Sequence, residues 1–252
     1  MNAPIFAVLI KTKNMGRAFE FRKVRKMKRW GNMARVFTRI GRDIVIAVKA
    51  GGPDPTHNAK LRVVMQNAKG ANMPKDRVEA AIKRASSKDE KDYEEIVYEG
   101  YAPFGVGILC ECATDNPTRT VANVRMYFTR NEGTLGKTGS LDFMFERKAV
   151  FHLAAAGLDK DELELELIDF GAEEVDGDDE EIVITAPFSE FGNMQKALED
   201  KKLNVISSEL QRIPTSFAEI TPEQRDKVLA IIEKFEEDED VQAVYHNMRL
   251  ED

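Results

Sequence analysis

Residues 149–212 read AVFHLAAAGLDKDELELELIDFGAEEVDGDDEEIVITAPFSEFGNMQKALEDKKLNVISSELQR, and their pattern decides the fold. A β-branched and aromatic run at Val150–Leu153 reads as a strand. Asp159, followed three residues later by Glu162, opens a helix as a capping box does. A short strand near Glu174 turns through Asp176-Gly177-Asp178 into a second strand at Glu181–Ala186. A helix from about Ser189 to Glu199 and a strand from Asn204 to Arg212 close the unit. The order β-α-β-β-α-β is that of a ferredoxin-like fold.

Upstream, the texture is helical. Met33, Val36, Phe37, Ile40, Ile44, Ala47 and Val48 follow 3-and-4 spacing until Gly51-Gly52-Pro53 stops the stripe. Leu61, Val64, Met65 and Ala68 mark a second helix, closed near Gly70. Pro74 opens a third, with Val78, Ala81, Ile82 and Ala85 on its apolar face. Three such helices can share one small core.

Between helices and ferredoxin-like unit, Ile96–Tyr98 and Val106–Ala113 read as strands around a Pro-Phe-Gly turn. Asn116-Pro117 opens a helix, Gly133 stops it, and a glycine-rich loop leads to a strand near Leu141–Phe145. That β-β-α-β set lacks a second helix and a fourth strand. The helix capped by Thr221-Pro222 and the strand Val241–His246 lack partners in the second unit, so they are expected to fold back and supply both. The fold class is therefore α+β: a three-helix domain, then two α/β domains, at least one ferredoxin-like. The expected division is 1–15 as a leader, disordered or artefactual, with Met15 as an alternative start. Next come 16–90 as a basic helical domain, 94–147 with 214–252 as a discontinuous middle domain, and 148–213 as the ferredoxin-like domain.

Charge is divided along the chain. Up to Glu90 there are 21 basic and 7 acidic side chains, a net of +14; from Lys91 onward there are 16 and 37, a net of −21. Twelve of the residues from Lys11 to Arg42 are Lys or Arg, and Glu20 is the one acid among them. The doublets Arg22-Lys23, Arg25-Lys26 and Lys28-Arg29 are separated by single residues, with Phe19, Phe21 and Trp30 close by. So dense a run repels itself and seeks a polyanion. Neutralising phosphates would release counterions, and the aromatics could stack on bases or pin the arm to the helical core. The candidate nucleic-acid contacts are Arg17, Arg22, Lys23, Arg25, Lys26, Lys28, Arg29 and Trp30, with Arg35 and Arg39 on the first packed helix and Arg119 at the opening of the helix after Asn116-Pro117. Nothing in the arm distinguishes DNA from RNA.

Catalytic patterns are missing from the sequence. His57, His152 and His246 are scattered and read as surface or turn residues. Gly136-Lys137-Thr138 tempts as a phosphate cradle, but no glycine stands five residues earlier and the loop joins a helix to a strand, the reverse of a P-loop. It is left as an exposed loop that could contact RNA. The acidic runs at 173–181 and 236–240 lack the twelve-residue calcium loop and read as a hairpin turn and a frayed helix end. Cys110 and Cys112, two apart on one strand, admit three readings: core thiols, half a metal site, or a redox pair. Core packing is favoured, because no second ligand cluster exists. Free thiols suit a reducing cytoplasm. No apolar run approaches the roughly 18–20 residues of a membrane span. The expectation is a monomeric cytoplasmic protein, not an enzyme, with no metal, cofactor or small-molecule substrate.

Seven ordered motifs resemble the YebC/PmpR family: Phe37-Thr-Arg-Ile40, Ala50-Gly-Gly-Pro-Asp-Pro55, Asn72-Met-Pro-Lys-Asp76, Tyr98-Glu-Gly-Tyr-Ala-Pro103, Ala113-Thr-Asp-Asn-Pro-Thr-Arg-Thr-Val121, Gly133-Thr-Leu-Gly-Lys-Thr-Gly-Ser140 and Asp240-Val-Gln-Ala-Val-Tyr-His-Asn247. The resemblance implies three domains, the middle one completed by the C-terminal segment. It implies no catalytic residues. Members are described as probable transcriptional regulators that bind DNA; others, including mitochondrial relatives, act in translation, some by helping ribosomes through consecutive prolines. Many members begin with Gly-His-Ser-Lys-Trp, where this chain has Gly16-Arg-Ala-Phe-Glu-Phe21. How the tip of the arm makes contact is therefore left open.

Overall fold

The computed structural model describes residues 33–87 and 90–249. The leader and the arm as far as Asn32, including every candidate contact from Arg17 to Trp30, lie outside the described residues.

Helices α1 (Met33–Gly51), α2 (Ala59–Gly70) and α3 (Lys75–Ala85) pack around Ile44, Val45, Leu61, Val64, Val78 and Ala81. The link from α1 to α2 is tightly specified. Gly52 takes φ of 84°, a left-handed conformation that an L side chain resists. Asn58 then does two jobs. Its Oδ1 accepts the Leu61 N–H at 3.0 Å as N-cap of α2, and its Nδ2 donates back to the carbonyls of Ala47 at 2.7 Å and Gly52 at 2.8 Å.

The first sheet contains β1 (Glu94–Tyr101), β2 (Gly107–Thr114), β3 (Thr134–Leu135) and β8 (Val241–His246) in the antiparallel order β3-β1-β2-β8. Helix α4 (Pro117–Thr129) follows β2, and α7 (Pro222–Glu237) precedes β8. Both helices cover one face, where Phe128 and Phe235 meet edge-on at 4.9 Å over Ile108, Cys110 and Cys112. Thr221 and Gln224 form a reciprocal capping box at the start of α7.

The second sheet runs β5-β6-β4-β7, all antiparallel, from β4 (Phe145–Ala154), β5 (Glu174–Gly177), β6 (Glu181–Pro187) and β7 (Val205–Pro214). Helices α5 (Lys160–Leu167) and α6 (Phe191–Asp200) pack on the face carrying Ala149, Phe151, Leu153, Ile182 and Ile184. This is the ferredoxin-like arrangement.

One expected element is absent. Residues 141–145 do not form a strand: Asp142–Met144 make a single tight helical turn, and Phe145 already starts β4 of the other sheet, opposite Pro214. The third strand of the first sheet is instead the two-residue Thr134–Leu135. The apolar side chains that suggested a strand, Leu141, Met144 and Phe145, are buried against Leu109 and Tyr245 on the helix-free face of the first sheet.

Candidate nucleic-acid interface

Of the candidate contacts, Arg35, Arg39 and Arg119 fall within the described residues, and all three are engaged inside the protein. Arg35 reaches Glu237 at 3.5 Å. Arg39 donates to the carbonyl of Glu236 at 2.9 Å, in the last turn of α7, where the helix dipole favours a cation. Arg42, one turn on, donates to the Ala113 carbonyl at 2.8 Å and to Asp240 Oδ1 at 3.0 Å. The basic stripe of α1 therefore lies against the acidic C-terminal end of α7, close to where the described residues begin at Met33.

Arg119 meets the same carboxylate. Its Nη2 stands 2.8 Å from Asp240 Oδ2 and 2.9 Å from Asp115 Oδ1, which in turn accepts Lys91 at 2.6 Å through its other oxygen. Thr120 and Thr114 donate their hydroxyls to Asp240 Oδ2 at 2.8 and 3.2 Å. The Asp240 side chain is only 3% exposed. Burial alone would raise its pKa, but Arg119, Thr120 and Arg42 outweigh it, and the carboxyl is held below its ordinary value. Asp238 is equally committed, accepting Asn123 Nδ2 at 3.0 Å, the Tyr127 hydroxyl at 2.9 Å and the Asp240 N–H at 2.9 Å. Burial and this carboxylate push the Tyr127 phenol well above its ordinary range. The acidic run at 236–240 is thus a wired junction, not a frayed helix end.

The glycine-rich loop shows why it is a poor phosphate cradle. Its N–H groups already have an anion: buried Glu99 accepts Gly139 N and Leu141 N, each at 2.7 Å, and Ser140 Oγ at 3.4 Å. The cysteines are buried with their sulfurs 3.6 Å apart, and the hydrogen bond between them together with burial pushes the Cys110 thiol well up. His152 and His246 are not surface residues; they are 3% and 8% exposed. His152 Nδ1 sits 2.6 Å from Glu181, and His246 Nδ1 accepts the Met248 N–H. His57 is exposed and pairs with Asp54 at 2.9 Å. Among the described residues no group of three or more His, Cys, Asp or Glu is placed to hold a metal, and no helix is long and apolar enough to cross a membrane.

The three packed units meet around a cleft of about 2060 Å³. Helix α2 docks on the edge of β7. Asn67 Nδ2 donates to the Ser208 carbonyl and its Oδ1 accepts the Ser208 N–H, both at 2.9 Å, so one side-chain amide pairs with the strand as a neighbouring strand would. At Gly70 an added Cβ would lie 1.9 Å from the Ile206 carbonyl oxygen, so only glycine allows this approach. Asp43 of α1 faces the cleft. Its carboxyl is pushed up to about 7, first by burial and then by Glu95, with Glu209 adding to it.

The match to known proteins spans nearly the whole chain. Residues 17–88 match the model described as the TACO1/YebC protein N-terminal domain, and residues 93–248 match the TACO1/YebC second and third domain. The chain belongs to the TACO1/YebC family. A relative from Parabacteroides distasonis, called a probable transcriptional regulatory protein, is 59% identical over 94% of this chain and 98% of its own length. One of the same description from Flavobacterium johnsoniae is also 59% identical, over 94% of this chain and all of its own. The crystal structure of a conserved hypothetical protein from Aquifex aeolicus superposes with a TM-score of 0.77 at 33% identity, covering 87% of this chain and 91% of that one. The Parabacteroides and Flavobacterium members of the TACO1/YebC family are thus both named as transcriptional regulators.

Sequence reasoning missed Asp240, Glu99, Asn67 and Asp43. Asp240 and Glu99 do lie inside quoted motifs, but nothing in their spacing announces a buried carboxylate. The signal that could have found Asp240 is the company of Thr114, the last residue of β2, with Arg119 and Thr120, polar residues opening a helix whose other buried positions, Val124 and Phe128, are apolar.

Proposed function

We propose that this protein is a nucleic-acid-binding regulator of gene expression, a DNA-binding transcriptional regulator that makes its electrostatic contact through Arg17–Trp30 and performs no catalysis of its own. The observation that carries this reading is the charge division, +14 up to Glu90 against −21 beyond it, in a family whose relatives are named as probable transcriptional regulators. Arg35, Arg39 and Arg119 are reassigned as joints of the fold, since their heads are already held by α7, Asp115 and Asp240. Seven cations stand between Arg17 and Arg29. If all engage duplex phosphates, the logarithm of affinity falls with that of salt at a slope of about −6, and neutralising Arg25, Lys26, Lys28 and Arg29 reduces the slope by roughly 3–4. Promoter DNA should be preferred over random duplex by about 10³ or more at physiological salt. A ratio near one defeats the transcriptional reading.

A second reading is favoured by one observation. The acidic α/β units oppose lying flat along a duplex, whereas an arm ahead of acidic domains suits a large asymmetric target such as the ribosome. Under that reading the protein co-sediments with ribosomes and loses the association when the same four arm residues are reversed in charge.

A further inference from the structure

The second sheet has one face backed by α5 and α6 and one that is not. Register places Glu146, Lys148, Val150 and His152 of β4 on the face without helices, with Glu174 and Asp176 of β5, Glu181, Val183 and Thr185 of β6, and Ser207, Glu209 and Gln211 of β7. Five carboxylates thus stand there against one lysine. Val150 and Val183, at its centre, are 0% and 2% exposed, yet belong to none of the packed cores. Ser207 is 8% exposed, and its hydroxyl is buried with no hydrogen-bond partner among the described residues. This face runs into the inter-unit cleft at His152, Glu181 and Ser207, and the same cleft is lined by Met33, Arg35 and Arg39 at the point where the described chain begins.

We infer that the occupant of this face is the chain's own basic arm, so that the free protein holds its polyanion-binding segment on an acidic sheet until a nucleic acid competes it away. Two features of the arm fit. Phe21, Val24, Met27 and Trp30 recur every third residue with two cations between each, an alternation of apolar and basic groups that answers a cleft wall where Ile206 and Leu210 stand beside Glu181 and Glu209. The stretch from Arg17 to Trp30 has seven cations and one acid, a net of +6. Reach is sufficient: the sixteen residues from Arg17 to Asn32 span up to roughly 50 Å when extended. Competition by a polyanion rests on the function proposed above, but the docking itself does not.

Trp30 is the single tryptophan and reports on the docking directly, with no nucleic acid present. In the full chain at low salt its emission should be blue-shifted and poorly quenched by acrylamide. Reversing Glu209→Lys together with Glu180→Lys, which lines the same cleft one residue before Glu181, should raise the acrylamide quenching constant several-fold. Reversing Glu164→Lys with Asp169→Lys, an equal charge change at exposed positions on and just after α5, should leave it unchanged. If the first pair fails to fold, Glu180→Gln with Glu209→Gln should give a smaller rise in the same direction. Full quenching in the unaltered protein, or equal effects from both pairs, overturns the inference. A shift that depends on protein concentration overturns it too, because the arm would then be docking on a second copy. Failure of promoter or ribosome binding with Trp30 shielded would instead count against the proposed function alone.

Discussion

Asp240 offers the sharpest test of how the helical unit is held to the rest. Its carboxylate joins Arg42 from α1, Arg119 and Thr120 from α4 and Thr114 from the end of β2, all within 3.3 Å. In Asp240→Asn one oxygen becomes an amide nitrogen, which must face donors on one side or the other. Arg119, 47% exposed, can rehydrate; Arg42, 11% exposed, cannot. Breaking a buried pair by removing one partner costs about 3–5 kcal/mol, and recovery of solvent at Arg119 places this case near the lower end. At about 3 kcal/mol, melting should fall by roughly 6–12 °C if the chain unfolds as one cooperative block of about 220 residues, and by about twice that if the first-sheet unit melts alone.

The sign of the pH dependence is fixed. The folded pKa of Asp240 lies below its ordinary 3.8, so its contribution is full above that value and is lost as pH falls through the folded pKa. Urea unfolding of wild type and Asp240→Asn should therefore differ most near neutrality and converge towards the acid end. A difference under about 1 kcal/mol at neutral pH, or one that persists undiminished in acid, would refute the assignment of Asp240 as the charged centre of the joint.

Three further outcomes are expected. Asp43, with its carboxyl raised to about 7, holds a proton in the folded state that the unfolded chain gives up above 3.8, so its presence lowers stability as pH rises across that window. Asp43→Asn should be more stable than wild type at pH 8, by about 1–2 kcal/mol after solvent screening, and indistinguishable near pH 4; parallel stability curves would count against it. Gly70→Ala should loosen α2 from β7, seen as faster amide exchange at Ser208 with the α1–α3 core intact, and unchanged exchange would contradict the close approach at Ile206. Cys110 and Cys112 should resist thiol reagents until global unfolding; rapid native-state labelling would exclude the packed-core reading.

How much of this could be read from sequence depends on the kind of force involved. Amphipathic stripes are local, so α1, α2 and α3 were legible from their 3-and-4 spacing, and the ferredoxin-like order followed from alternating strand and cap signals. The segment at Leu141–Phe145 misled for a physical reason: burial against the helix-free face of the first sheet gives the same apolar composition whether the backbone is extended or turned. Length does not separate the two over five residues. The buried histidines were misread likewise, since Glu181, which receives His152, lies 29 positions away. Asp240 and Asn67 answer to partners 120 to 198 positions distant, and no window of sequence brings such partners together.

The joints and the arm bear on one another. The described arginines of α1 are spent on the C-terminal end of α7, the residues just after it and the end of β2: Arg35 on Glu237, Arg39 on Glu236, Arg42 on Ala113 and Asp240. Had those arginines been free, the polyanion-binding surface would run continuously from the arm onto the helix, and a ligand would pull on the core. Because they are committed, the proposed polyanion contact would rest on the residues before Met33, and the proposed exchange of the arm's partners would leave the α1 joint intact. An arm that can exchange between an internal acidic face and an external polyanion needs such a rigid origin. Without it, the cations that hold α1 in place would themselves be competed away.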